Sequence, residues 1–200
     1  MTYQAILKSD DFKKCVDFHG HVCPGLSIGY RASKAGLEAI REIRAEDEEV
    51  VAIVETNACS ADAVQVLTGC TFGKGNFFFK DYGKMALTLL SRKSGKGVRV
   101  SMQPGAFTPS PDHFNLLQKV IAGKADEQET QQFKDIHLKR SYDILEKPTD
   151  QLFVIKQVTM EIPEKARIEP SEPCSRCGEA TMGSKLELIE NKKVCRGCLE

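Results

Sequence analysis

The sequence predicts an α+β fold: a mixed β-sheet packed with helices, followed by a small four-cysteine module of zinc-ribbon or treble-clef type. Three observations predict it. Short apolar runs that read as strands are separated in some places by helical segments and in others only by glycine-bearing turns, the combination of crossover and hairpin spacing that a mixed sheet needs. The last 30 or so residues carry two C-x2-C pairs. A charged stretch with three prolines, Glu161 to Pro173, precedes them and reads as a linker. The expected organisation is a core over 1–162, a linker over 163–172 and a metal module over 173–200.

The elements follow in order. Ser9-Asp10-Asp11 opens a helix over 10–18 with Phe12, Cys15 and Val16 on one face. Cys23 then stands at the N-cap and Pro24 at the first position of a helix over 24–44, whose Leu26, Ala32, Ala35, Leu37, Ile40 and Ile43 repeat near every 3.6 residues. Val50 to Thr56 reads as a buried strand, and a second helix runs from about Ser60 to Gly69. Strands follow near 76–80, 85–91 and 97–102, with turns at Asp81-Tyr82-Gly83 and Ser94-Gly95-Lys96-Gly97. Helices are expected at 112–122 and 126–147, the second with an acidic start, and Leu152 to Met160 alternates as a last strand.

Bulk properties narrow the function. The 200 residues carry 28 Lys+Arg and 28 Asp+Glu, so no large field steers the chain to nucleic acid or anionic lipid. No apolar run approaches the roughly 18 residues of a membrane span, and the first residues lack the pattern of a secretory signal. The expected setting is the reducing cytoplasm, where paired cysteines serve as metal ligands or redox thiols rather than disulfides.

Cys174, Cys177, Cys195 and Cys198 form a C-x2-C-x17-C-x2-C array, the spacing of a tetrahedral four-thiolate zinc site. Gly178 and Gly197 let the backbone turn beneath the metal, and Leu186 to Val194 reads as a hairpin with Asn191 near its tip. So short a segment cannot bury an adequate core, so the metal must stabilise it. Disulfides conflict with the compartment; an iron site with the same thiolates has the same spacing. Residues 171–200 hold five basic and five acidic side chains and no aromatic one. That composition suits docking to a protein better than phosphate or base binding.

The other four cysteines lie in the first 70 residues. His19, His21 and Cys23 alternate about Gly20, and in an extended loop they point to one side as three ligands for a borderline metal. Cys23 and Cys59 both precede helices, whose N-terminal N–H groups favour thiolate. His21, Cys23 and Cys59 are therefore the expected ligands of a zinc, nickel or iron(II) ion, with His19 as a further ligand or as the group that orients one. Three protein ligands would leave a position open. Cys15 is expected in the core. Cys70, Asp62, Lys74 and Asn76 are candidates for an adjoining pocket, with Asp62 pairing a histidine or capping its helix, and Gly73-Lys74-Gly75-Asn76 resembling an anion-binding turn. His113 and His137, on polar helical stretches, are expected to face solvent.

These motifs resemble a known family. Phe18-His19-Gly20-His21-Val22-Cys23-Pro24-Gly25 with Gly29-Tyr30-Arg31 closely resembles the opening motif of the FmdE/FwdE family, named for a component of formylmethanofuran dehydrogenase. Cys59, Asp62 to Gln65, Thr68 to Thr71 and Gly73 to Asn76 are similar to its second block, and Asp81 to Lys84 to its third. The resemblance implies a core related to a glyceraldehyde-phosphate dehydrogenase domain, metal binding at the histidines and cysteines of the motif, and a C-terminal zinc module. In the larger enzyme the one-carbon chemistry belongs to a molybdenum or tungsten pterin centre on other subunits. Family members also occur as stand-alone proteins.

The leading reading is thus a metal-binding accessory protein whose partners are subunits of a molybdenum or tungsten oxidoreductase, with homodimerisation expected. The alternatives are a stand-alone metalloenzyme with an open His/Cys site, and a zinc-ribbon regulator.

Overall fold

The computed structural model describes residues 2–200 and divides the chain into two compact units that meet between Lys165 and Ala166. Among the described residues no helix is long and apolar enough to cross a membrane.

The first unit begins with α1 (Tyr3–Lys8), α2 (Asp10–His19) and α3 (Pro24–Ile40). Ser9 caps α2 by accepting from the Phe12 amide, and Gly20, at φ 94°, ends it in the left-handed region. The second cap is Cys23, whose sulfur accepts from Leu26 N ahead of Pro24. Helix α3 stops at Ile40, four residues short of the sequence expectation, because Arg41 takes a left-handed conformation and closes the last turn.

Then come β1 (Val50–Val54), α4 (Ser60–Thr68), β2 (Phe77–Phe79), β3 (Ala86–Ser91), β4 (Gly97–Met102), α5 (Pro111–Ile121), α6 (Glu127–Glu146), α7 (Thr149–Leu152) and β5 (Phe153–Val158). The sheet order is β2-β1-β3-β4-β5. Only β1 and β2 pair in parallel, joined across α4; the other neighbours are antiparallel, so the sheet is mixed as expected. The acidic start of α6 forms a capping box between Asp126 and Glu129.

Side-chain alternation decides what each face of the sheet touches. Val50, Ala52 and Val54 of β1, Leu87 and Leu89 of β3, and Val98 and Val100 of β4 pack on Ile28, Ala32, Leu37 and Ile40 of α3. Val51, Ile53 and Leu90 point to the other face, where Phe78, Val158 and Ile162 cover them. Past β1, Glu55 receives both arms of Arg99 from β4, at 2.6 and 2.7 Å.

Two glycines of α3 fix the approach of α4. A Cβ on Gly29 would lie 2.2 Å from the carbonyl oxygen of Ser60, and one on Gly25 would lie 2.9 Å from Cys59 Cβ. These positions, one helical turn apart, let the first turn of α4 rest directly on α3. The start of α4 therefore meets the start of α3.

The second unit carries β6 (Ser171–Pro173), β7 (Ala180–Met182), β8 (Leu186–Ile189) and β9 (Lys192–Cys195) as two antiparallel hairpins. Glu190 and Asn191, at φ 48° and 61°, form the tight turn between β8 and β9. Residues expected as linker belong to this fold: Ser171 and Glu172 pair with β7, and Pro170 accepts from the amide of Gly183.

Candidate metal centre

Two clusters of metal-ligating side chains occur among the described residues: Cys174, Cys177, Cys195 and Cys198, and His19, His21 and Cys23. In each, one ligand atom per residue lies within 4.8 Å of all the others.

The C-terminal cluster is made by backbone turns. Each C-x2-C pair bends at the end of a hairpin. Cys174 Sγ accepts from the amides of Cys195 and Arg176 at 3.3 and 3.4 Å. These amide bonds bring the Cys174 thiol down to about 6, whereas contact with the neighbouring thiols lifts Cys198 to about 12. The sulfurs of Cys174 and Cys198 lie 4.0 Å apart and those of Cys177 and Cys195 3.8 Å apart. Four sulfurs about 2.3 Å from one tetrahedral ion stand about 3.8 Å from each other, so the donor set fits such an ion.

The N-terminal cluster is made by a left-handed turn between two helices, and not by the extended loop expected from its alternation. His19 is the last residue of α2; the left-handed Gly20 then reverses the chain, so that His21 and Cys23 return to it. His19 is half-buried, His21 exposed and Cys23 buried. The His19 and His21 rings lie 4.5 Å apart. His19 Nε2 is 3.6 Å from Cys23 Sγ. A nitrogen about 2.1 Å and a sulfur about 2.3 Å from a shared tetrahedral ion would be about 3.6 Å apart.

Helix α4 completes the site. Asp62, in its first turn, places Oδ2 at 2.7 Å from His19 Nδ1. The carboxylate thus fixes the imidazole with Nδ1–H donating and Nε2 turned to Cys23, the carboxylate–histidine arrangement that orients metal ligands. Asp62 therefore pairs with a histidine. Cys59 caps α4 without accepting a hydrogen bond and packs beside Cys23, where its thiol interacts with that of Cys23.

The thiol of Cys23 departs from expectation. The amide of Leu26 does lower its pKa, but burial is the larger influence, and with Cys59 alongside the thiol is pushed up to about 11. The helix N-terminus does not by itself make a thiolate here; a bound cation would have to displace the proton.

The remaining pocket candidates lie elsewhere. Cys70 is fully buried and directs its sulfur to Val50 O at 3.2 Å, with burial raising its thiol to about 11. Asn76 is buried and bonded to Asp47 O, Val50 O and Thr71 N. Lys74 Nζ donates to Glu46 O and Gly69 O. The supposed anion-binding turn is therefore a brace that spends its polar groups on neighbouring backbone. Cys15 is buried, as expected.

Sequence reasoning missed one feature. His113 and His137 turn inward instead of facing solvent: His113 is 3% exposed, and its Nε2 lies 3.2 Å from His137 Nδ1. Phe133 stacks on the His113 ring and lies tilted against that of His137. Burial lowers the basicity of both, helped by Arg140 at His113, and by His113, His21 and Arg140 at His137. The available signal was spacing: His113 stands three residues before Leu116 and seven before Val120, and His137 four after Phe133 and seven before Ile144, on the apolar stripes of their helices.

Fold and site together define an α+β domain with a histidine–cysteine cluster at the junction of three helix ends, followed by a four-cysteine ribbon. The family described as FmdE, molybdenum formylmethanofuran dehydrogenase operon, matches residues 18–154, and the chain belongs to it. A probable S-adenosyl-L-methionine-binding protein of Archaeoglobus fulgidus is 33% identical over 86% of this chain. The chain spans only 48% of that relative. The crystal structure of an FmdE-like protein of the tungsten formylmethanofuran dehydrogenase type, from Syntrophus aciditrophicus, shares the fold, with a TM-score of 0.60 and 23% identity over 98% of this chain and 91% of that one.

Proposed function

We propose that this chain is a metal-binding accessory protein of a molybdenum- or tungsten-dependent, formylmethanofuran- or formate-type dehydrogenase system. His19, His21 and Cys23, with Cys59 beside them, would hold one zinc, nickel or iron(II) ion, and the four C-terminal cysteines a structural zinc ion. The observation that carries the reading is the line Asp62–His19–Cys23, at 2.7 and 3.6 Å. It presents a carboxylate-oriented imidazole and a buried thiol to one point, a donor pair suited to a borderline cation.

A bound ion at that point would supply Lewis acidity. The residues of the chain do the rest. Asp62 keeps His19 in one tautomer, Cys23 gives up its proton on binding, and the packed start of α3 excludes water from the sulfur. The partner half of the proposal is supported by family membership and by apolar surface. Phe18, Ile43 and Phe72 are exposed around a groove of about 920 Å³, the kind of surface that a contact with another protein covers.

The open-site metalloenzyme is the second reading, and one observation favours it: the convergent cluster has three donors, which leaves a coordination position unless Cys59 fills it. Metal analysis of the purified chain tests the first reading. Two ions per chain are expected, falling to one in a His19→Ala/Cys23→Ser variant; two ions retained in that variant would refute the core site. Cys59→Ser separates the readings. Loss of the core ion favours closed, accessory coordination, and an ion kept with an exchangeable water favours the enzyme.

A further inference from the structure

The two helices of the α5–α6 hairpin are joined by a bond between two bases. His113 of α5 and His137 of α6 meet through Nε2 and Nδ1, 3.2 Å apart. Such a bond needs one nitrogen with its proton and one without. Two neutral rings meet that condition, and so does one neutral ring beside one imidazolium. Two imidazolium rings do not, because both facing nitrogens then carry protons and repel each other.

The surroundings have no means of stabilising two charges. His113 is 3% exposed, and its Nδ1 has no hydrogen-bond partner. Phe133 stacks on the His113 ring at 5.5 Å and lies tilted against that of His137 at 4.9 Å. No carboxylate among the described residues acts on either ring. Arg140 follows His137 by one turn of α6; its guanidinium lies on the Phe107 ring at 4.4 Å and donates to Thr108 O, two residues ahead of the Ser110 that caps α5.

The other charged groups nearby are committed elsewhere. Asp143 acts on Arg140, and Lys119 of α5 pairs with Glu129 of α6 at the exposed end of the hairpin. Asp112 is exposed in the first turn of α5. The segment 103–110, ahead of α5, has no titratable side chain. From α3, Arg31 donates to the Ile144 and Leu145 carbonyls, and from α1 the Tyr3 amide takes Glu146. His21 acts on His137 by its charge only.

Little else holds α5. His113 and Leu116 are its buried residues, while Phe114 and Ile121 are 50% and 72% exposed. Burial first, then Arg140, makes His113 less basic than a free imidazole; burial first, then His113, His21 and Arg140, does the same to His137. A base whose folded value lies below its unfolded one gives stability that is present above about pH 6.5 and is lost as pH falls from there through the folded value.

We propose that the His113–His137 pair is an acid-operated latch. It ties α5 to α6 while at least one ring is neutral; when both rings take up protons it releases α5 and uncovers Leu116 and Phe133, leaving the sheet folded. The latch goes beyond the metal-binding reading and needs neither ion.

The test is amide exchange of the full chain between pH 7.5 and 5, corrected for the intrinsic effect of pH on exchange. Opening of α5 should rise about tenfold per pH unit for each proton taken up, hence about 10- to 100-fold between pH 6.5 and 5.5, while β3 and β4 stay level. His113→Leu/His137→Leu, which cannot titrate, should keep α5 closed across the range. His113→Gln, which keeps a donor for His137 Nδ1, should show a slope lower than wild type by one proton. Wild-type α5 amides that respond to acid no more than those of β3 would overturn the latch. So would a folded double-leucine chain with the wild-type acid response. Should the double variant fail to fold, His113→Gln decides, and an unchanged slope there would overturn the latch as well.

Discussion

The two cysteine-bearing clusters reach the same kind of geometry by different routes. In the ribbon, four identical donors sit in two short turns, each pair separated by two residues, and Cys174 Sγ joins the turns by accepting from the nearby Arg176 amide and from the distant Cys195 amide. In the core, the three donors stand within five residues, where α2 ends, Gly20 reverses the chain and Cys23 caps α3, while the orienting carboxylate of Asp62 arrives through the packing of α4 on α3. So short a ribbon buries too little core to fold alone, and an ion among its four sulfurs would supply the missing stability. The core site depends on the fold to exist.

Chelation should break this comparison most sharply. Structural zinc contributes on the order of 10–16 kcal/mol of apparent binding energy in small modules. A strong chelator, or Cys174→Ser with Cys195→Ser, should unfold residues 166–200 and leave the melting of the first unit unchanged, measured by amide exchange and calorimetry. Loss of both units together would contradict the division of labour.

The core should break without any ligand being touched. Gly29→Ala places a Cβ against the Ser60 carbonyl, a backbone atom that cannot swing aside. Overpacking of this kind costs about 1–3 kcal/mol, and it should also displace Cys59 and Asp62 from Cys23 and His19. The expected outcome is a lower melting temperature of the first unit with reduced core-ion content and a ribbon ion that stays. Unchanged core-ion content would mean that the α3–α4 approach does not set the site.

Asp62→Asn sharpens the comparison further, since the ribbon has no equivalent orienting group. It should lower core-ion affinity by about 10- to 100-fold, read by competition with a chromophoric chelator, and leave the fold intact. The smallest effect concerns a partly buried pair that serves the sheet. Hydrogen bonds from the Arg99 guanidinium hold the Glu55 carboxyl below its ordinary range, against an opposing push from burial. A depressed folded pKa gives stability that is present above the unfolded carboxylate pKa and is lost as pH falls through the folded value. Wild type should therefore melt above Glu55→Gln near pH 7, and the difference should shrink below about pH 4.

The same contrast explains what could be read in the sequence. The strands of the first unit, the β8–β9 hairpin turning at Asn191 and the four C-terminal cysteines follow from composition and short spacings, which record local geometry. Cys23 and Cys59 were recognisable as helix-start thiols because caps are local too. The mode of convergence was not: helix α2 runs on through His19, and Gly20 reverses the chain by a left-handed turn that alternation cannot encode. The partnership of Asp62 with His19 and the closeness of α4 to Gly29 depend on how two distant helices pack. Lys74 and Asn76 looked like ligand-binding groups because their acceptors, Glu46, Asp47 and Val50, lie more than 20 residues away. Helix α1, six residues long, is too short to show a period.

The most direct test of the central claim is an anomalous-difference map, at the absorption edges of zinc, nickel and iron, from a crystal of the full chain. Two peaks are expected: one among the four C-terminal sulfurs, and one bonded to His19 Nε2 and Cys23 Sγ with Asp62 still on His19 Nδ1. A single peak, confined to the ribbon in a metal-replete crystal, would contradict the claim.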